Sequence, residues 1–78
     1  MDKYDLSPER KRAIVESQIE ECQTLIYRND LENLTFKANN EKNKIAEVEY
    51  NNSTLKEKID VLAKEWESLS ASGSNTTK

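Results

Sequence analysis

A heptad repeat governs half of this 78-residue chain. With Leu31 placed at position a and Leu34 at d, the core positions run Leu31, Leu34, Ala38, Glu41, Ile45, Val48, Asn52, Leu55, Ile59, Leu62, Trp66 and Leu69. All but Glu41 and Asn52 are apolar. Such spacing marks a helix that winds against another helix, because a 3.5-residue period keeps one face turned toward a partner. The frame passes without a slip through residues 37–44, KANNEKNK. Its asparagines and lysines fall outside the core positions, so the spacing predicts helix through this stretch. Asparagine is a poor helix former and Glu41 a poor core residue, which makes the stretch locally weak.

The N-terminal third follows a different frame. Ser7-Pro8-Glu9 supplies a capping hydroxyl, a proline at the first helical position and a carboxylate at the positive end of the helix dipole. The apolar stripe that follows is Ile14, Val15, Ile19, Cys22, Leu25 and Ile26. At 100° per residue this stripe and the one beginning at Leu31 lie about 150° apart on a straight helix. Something must interrupt the helix near Tyr27-Arg28-Asn29-Asp30, and Asn29-x-x-Glu32 resembles a capping box. The predicted fold is therefore all-α and elongated: a short helix over about 8–27, a long one over about 31–69, and a connection at 28–30. The connection lacks glycine, so one long bent helix is the alternative. Residues 1–6 and the small polar tail 70–78 are expected to be disordered.

Composition supports this class. Apolar residues make up 35% of the chain and charged residues 35%, with one glycine and one proline. That is too little apolar material for a thick core and too few turn residues for a sheet protein. Full disorder is the competing reading of so polar a chain, but the net charge is only −3 and the apolar residues are regularly spaced.

If the chain reverses at 28–30, the first helix runs out opposite about residue 50. Leu55, Ile59, Leu62, Trp66 and Leu69 are then bare, and at ~1.5–3 kcal/mol each they represent roughly 10 kcal/mol of unrealised burial. A soluble protein rarely leaves such a stripe uncovered. The expected protein interface is therefore Leu31, Leu34, Ile45, Val48, Asn52, Leu55, Ile59, Leu62, Trp66 and Leu69, with its weight on Leu55–Leu69. The partner is either a second copy or a heterologous helix. Isoleucine at a with leucine at d favours two parallel strands, and Asn52 at a is the residue type that fixes register. The flanking charges do not set orientation, since Lys44 would meet Glu49 but Lys37 would meet Lys42. Trp66 reads either as an aromatic sealing the end of a bundle or as an anchor for another protein. Cys22, on the apolar stripe, reads as a small buried hydrophobe.

Other chemistries are poorly supplied. No histidine is present and Cys22 is the only cysteine, so common zinc sites and internal disulfides are excluded. Glu16, Glu20 and Glu21, or Glu65 and Glu67, would need a perturbing pocket to act as acid–base pairs, and two thin helices offer none of useful size. The cluster Arg10-Lys11-Arg12 is followed at once by glutamates, which argues against nucleic acid. Ser7-Pro8 fits a proline-directed phosphorylation pattern, and four Asn-x-Ser/Thr triplets fit the glycosylation pattern; both are read as coincidence beside the capping role of Ser7 and the absence of a secretory signal. The polar face flanking Leu55–Leu69 is not basic enough for a membrane-surface helix. The expectation is a cytoplasmic, non-enzymatic helical interaction protein without cofactor or small-molecule ligand, of the kind that serves as a viral or phage assembly scaffold or small chaperone. The alternative is a monomeric regulator that masks a surface on a larger host protein.

Overall fold

The computed structural model describes residues 5–75, with side chains as far as residue 71. It is a helical hairpin. Helix α1 spans Pro8–Ala38 and helix α2 spans Lys42–Asn75. They pack side by side into a rod of 59 × 18 × 15 Å, the width of two helices and no more. All-α, elongated and two-helix hold as expected, but the reversal sits at residues 39–41 instead of 28–30. The outer parts of the expected disordered ends, residues 1–4 and 76–78, lie outside the described residues, and α2 continues past Leu69 to Asn75.

The N-terminus of α1 is built as its sequence implies. Ser7 is extended at φ −65° and ψ 156°, and its Oγ accepts the Arg10 backbone N–H at 3.2 Å. Pro8 follows in the first turn, where its missing N–H costs nothing.

The other end of α1 closes on asparagine. Asn40 adopts the left-handed conformation at φ 56°, the Asn40 N–H donates to the Lys37 carbonyl at 3.2 Å, and the Glu41 N–H reaches back to the Phe36 carbonyl at 2.9 Å. This pair of bonds is a Schellman stop, in which asparagine takes the place more often held by glycine because its short polar side chain tolerates positive φ. The Glu41 carbonyl then accepts the Ile45 N–H at 3.0 Å, and α2 begins. Lys44 ties the corner: its ammonium lies 3.1 Å from the Glu41 carboxylate and 5.3 Å from the centre of the Phe36 ring.

The register of the two helices follows from three contacts. Arg12 Nη1 donates to the Leu69 carbonyl at 3.4 Å, Trp66 Nε1 donates to Glu16 Oε2 at 2.9 Å, and Asn29 Nδ2 donates to Asn52 Oδ1 at 2.9 Å. Opposed residues thus have numbers that add to about 81. The inward positions of α1 are Arg12, Val15, Ile19, Cys22, Ile26, Asn29, Asn33 and Phe36, each buried or half-buried and spaced by alternating threes and fours. They stack on Leu69, Trp66, Leu62, Ile59, Leu55, Asn52, Val48 and Ile45. Each layer pairs an a position with a d position, as antiparallel packing requires, so α1 keeps a frame of its own in which Arg12, Ile19, Ile26 and Asn33 are a positions, Val15, Cys22, Asn29 and Phe36 are d positions, and Tyr27 and Leu34 fall at b. Covering on one side only leaves most of this seam half-buried; Cys22, Val48, Asn33 and Asn52 are the buried residues.

The expected frame break near residue 27 does not occur. The N-terminal frame runs on through Asn29 and Asn33 to Phe36, where the polar residue types hide it. Leu31, Leu34 and Ala38 match the frame of α2 but point away from it.

Candidate functional site

The expected interface residues fall into two groups. Ile45, Val48, Asn52, Leu55, Ile59, Leu62, Trp66 and Leu69 are brought together as one face of α2, and α1 of the same chain covers that face along its length. The premise that Leu55–Leu69 stands bare is corrected: with the turn at 39–41, α1 is long enough to reach Leu69. Leu31 and Leu34 belong elsewhere, on the outer side of α1.

The seam is polar near the turn. Asn52 holds two partners at once, accepting from Asn29 and donating from Nδ2 to Asp30 Oδ1 at 2.9 Å. One layer nearer the turn, Asn33 is 5% exposed and its Oδ1 has no hydrogen-bond partner among the described residues. A buried acceptor left this way costs about 1–3 kcal/mol. The apolar contacts of the hairpin therefore concentrate in the half farther from the turn, where Val15, Ile19, Cys22 and Ile26 meet Leu55, Ile59, Leu62 and Trp66.

Opposite the polar stretch, the outer surface of α1 is apolar. Tyr27, Leu31 and Leu34, spaced by four and three residues, share one face and are 64%, 47% and 63% exposed. In this segment α1 turns asparagines inward and large apolar side chains outward, the reverse of what burial alone would select. Spacing of i, i+4 and i+7 is what a helix offers to a groove or to an added helix. Tyr27 is a candidate residue of this face that sequence reasoning missed. Its signal was its distance of seven residues from Leu34, masked by its place at the expected end of the first helix, in a different helix from Leu34.

A second feature lies on the flank formed by positions e and b of both helices. Glu16, Ile19, Ala63, Trp66 and Glu67 line an open notch of about 290 Å³. The hydrogen bond from Trp66 to Glu16 holds the indole edge against α1, so the floor is apolar and the rim carboxylate. Elsewhere, open hollows at the turn and along α1 are lined mainly by polar side chains. No group of His, Cys, Asp and Glu able to hold a metal ion occurs among the described residues, and no described helix is long and apolar enough to cross a membrane. No protein family, curated protein or solved structure matches the chain.

Proposed function

We propose that this chain is a non-enzymatic interaction protein that binds another protein through the outer face of α1, centred on Tyr27, Leu31 and Leu34. The observation that carries this reading is the inversion of polarity in that segment, with Asn29 and Asn33 inside and three large apolar side chains outside. Nothing in hairpin stability calls for that arrangement, because exchanging the two faces would bury more apolar surface. Full burial of the three side chains is worth roughly 1.5–3 kcal/mol each before the costs of association, so the row supplies an anchor and the contacts around it must supply the rest of the affinity. Since α1 covers the Ile45–Leu69 face, the hairpin satisfies its main stripe within one chain. This favours a partner of a different kind, in the manner of a small regulator that masks a surface, over assembly through Leu55–Leu69.

The test compares the intact chain with Leu31→Asp/Leu34→Asp in the cells that produce it. A protein recovered in stoichiometric amount with the intact chain and lost from the variant, at unchanged helicity and melting temperature, is the expected result. Equal recovery of the same proteins by both would overturn the docking face. Light scattering on the purified chain separates the two kinds of partner: a monomer is expected, and a dimer dissolved by the same double substitution would assign the face to self-association.

A further inference from the structure

The flank bearing the Trp66 notch is acidic in a way that the opposite flank is not. In the half of the rod beyond Ile26 and Leu55, positions e and b carry Glu9, Glu16, Glu20, Asp60 and Glu67 against Lys56. Positions g and c of the same half carry Glu21 and Glu65 against Lys11 and Lys58, a balance of charge. Glu20 and Asp60 stand opposite one another across the two helices, as like charges. Arg12 and Lys64 border this flank, Arg12 donating to the Leu69 carbonyl. Among the described residues no ion pair engages Glu16, Glu20, Asp60 or Glu67, the recorded pair being Lys44 with Glu41 at the far end.

The notch therefore combines an apolar floor of Ile19, Ala63 and the Trp66 ring with carboxylates supplied by both helices. Glu16 uses one oxygen on the indole N–H, and its other oxygen has no hydrogen-bond partner among the described residues. The opening is at the small end of the range for small-molecule pockets and open to solvent, which suits a side chain presented by another protein better than a free ligand. An arginine or lysine matches it in every part: its methylene stem lies on apolar surface, its cationic head meets the carboxylates, and an aromatic ring face offers further attraction.

We propose that this notch receives an arginine or lysine from a basic amphipathic helix of a partner protein. The inference rests on the docking reading above and names the chemistry of the partner. Tyr27 and Leu34 occupy b positions on this same flank, so a helix lying along it meets both the apolar row and the notch.

Trp66 is the only tryptophan, which makes its fluorescence a direct reporter of the notch. The probe is a capped 18-residue helical peptide with leucines at i, i+3, i+4 and i+7 flanked by arginines, and its counterpart with glutamates in place of the arginines. The arginine peptide is expected to change Trp66 emission saturably, with affinity falling as salt rises, while the glutamate peptide leaves it unchanged. Glu16→Gln/Glu67→Gln, which keeps an acceptor for the indole N–H, is expected to weaken binding at least fivefold. The charge-matched control Glu21→Gln/Glu65→Gln is expected to stay within twofold. Equal weakening by both pairs would mean attraction to net charge alone and would overturn the notch, as would a peptide that binds without moving Trp66 emission. Leu31→Asp/Leu34→Asp separates the two readings: notch binding that survives it, with the apolar row inert, leaves the basic-segment assignment standing and removes the docking face.

Discussion

Replacing Asn33 by leucine is expected to stabilise the hairpin, although it removes a polar residue from a polar stretch. Asn33 is an inward a position, opposite Val48 and next to the Phe36–Ile45 layer, and its Oδ1 is buried without a partner. Removing that acceptor recovers about 1–3 kcal/mol. A leucine buried in its place adds about 1.5–3 kcal/mol, and its better helix propensity adds a few tenths. Against this stands the extra volume of the isobutyl group, which costs about 1–3 kcal/mol where a core cannot relax. A two-helix seam open to solvent on both flanks relaxes easily, so the lower part of that range applies, and with each gain taken at its low end the net is still about 2 kcal/mol. In a domain of this size that raises the melting temperature by roughly 8–16 °C. Circular dichroism at 222 nm against temperature measures it, repeated at two protein concentrations to exclude stabilisation by association. An unchanged or lowered melting temperature would refute the reasoning, and would mean that water satisfies the Asn33 amide where it sits.

Two further outcomes follow from the same geometry. Asn52→Ala leaves Asn29 and Asp30 without their shared partner and is expected to cost about 1–3 kcal/mol in urea unfolding, with Asn29→Ala/Asn52→Ala costing less than the sum of the single substitutions. Asn40→Val places a β-branched residue at φ 56° and is expected to cost about 1–2 kcal/mol, whereas Asn40→Gly stays within about 1 kcal/mol of the native chain.

The class of fold was legible because it depends on periodicity. The frame of α2 from Ile45 to Leu69 is nearly pure in apolar residues, and the start of α1 carries its cap in three consecutive letters. The position of the turn was not legible, for two physical reasons. An asparagine stop works as glycine does at positive φ, yet asparagine also occurs in ordinary helix, so Asn39-Asn40 carries a weaker signal than Asn-Gly would. In addition, Leu31, Leu34 and Ala38 continue the α2 frame backward across the turn. They do so because they form an apolar face of their own on the outside of α1, and a periodicity argument cannot tell a face that meets its own chain from one that meets nothing within it. The inward residues Asn29 and Asn33 were invisible for the complementary reason: their spacing is that of a core, and their chemistry is not. What could be inferred of the site was accordingly split. Leu31 and Leu34 were found under a false assignment, Trp66 was singled out for its size, and the acidic rim became apparent only once the register placed Glu16 beside Glu67.

Register by a constant sum makes the chain unequally tolerant of changes in length. Deleting a single residue from α1 rotates everything on its N-terminal side by about 100° relative to the turn, while the segment between the deletion and the turn keeps its pairing. Deletion of Arg10 therefore turns only Pro8 and Glu9 within α1 and leaves the Arg12–Leu69 contact in place. A deletion beside Thr35 swings Val15, Ile19, Cys22 and Ile26 off the seam together and presents Tyr27 and Leu31 in altered directions. The three-residue corner at Asn39–Glu41 thus acts as the origin of a ruler, and the harm done by a frame error grows with its nearness to that origin.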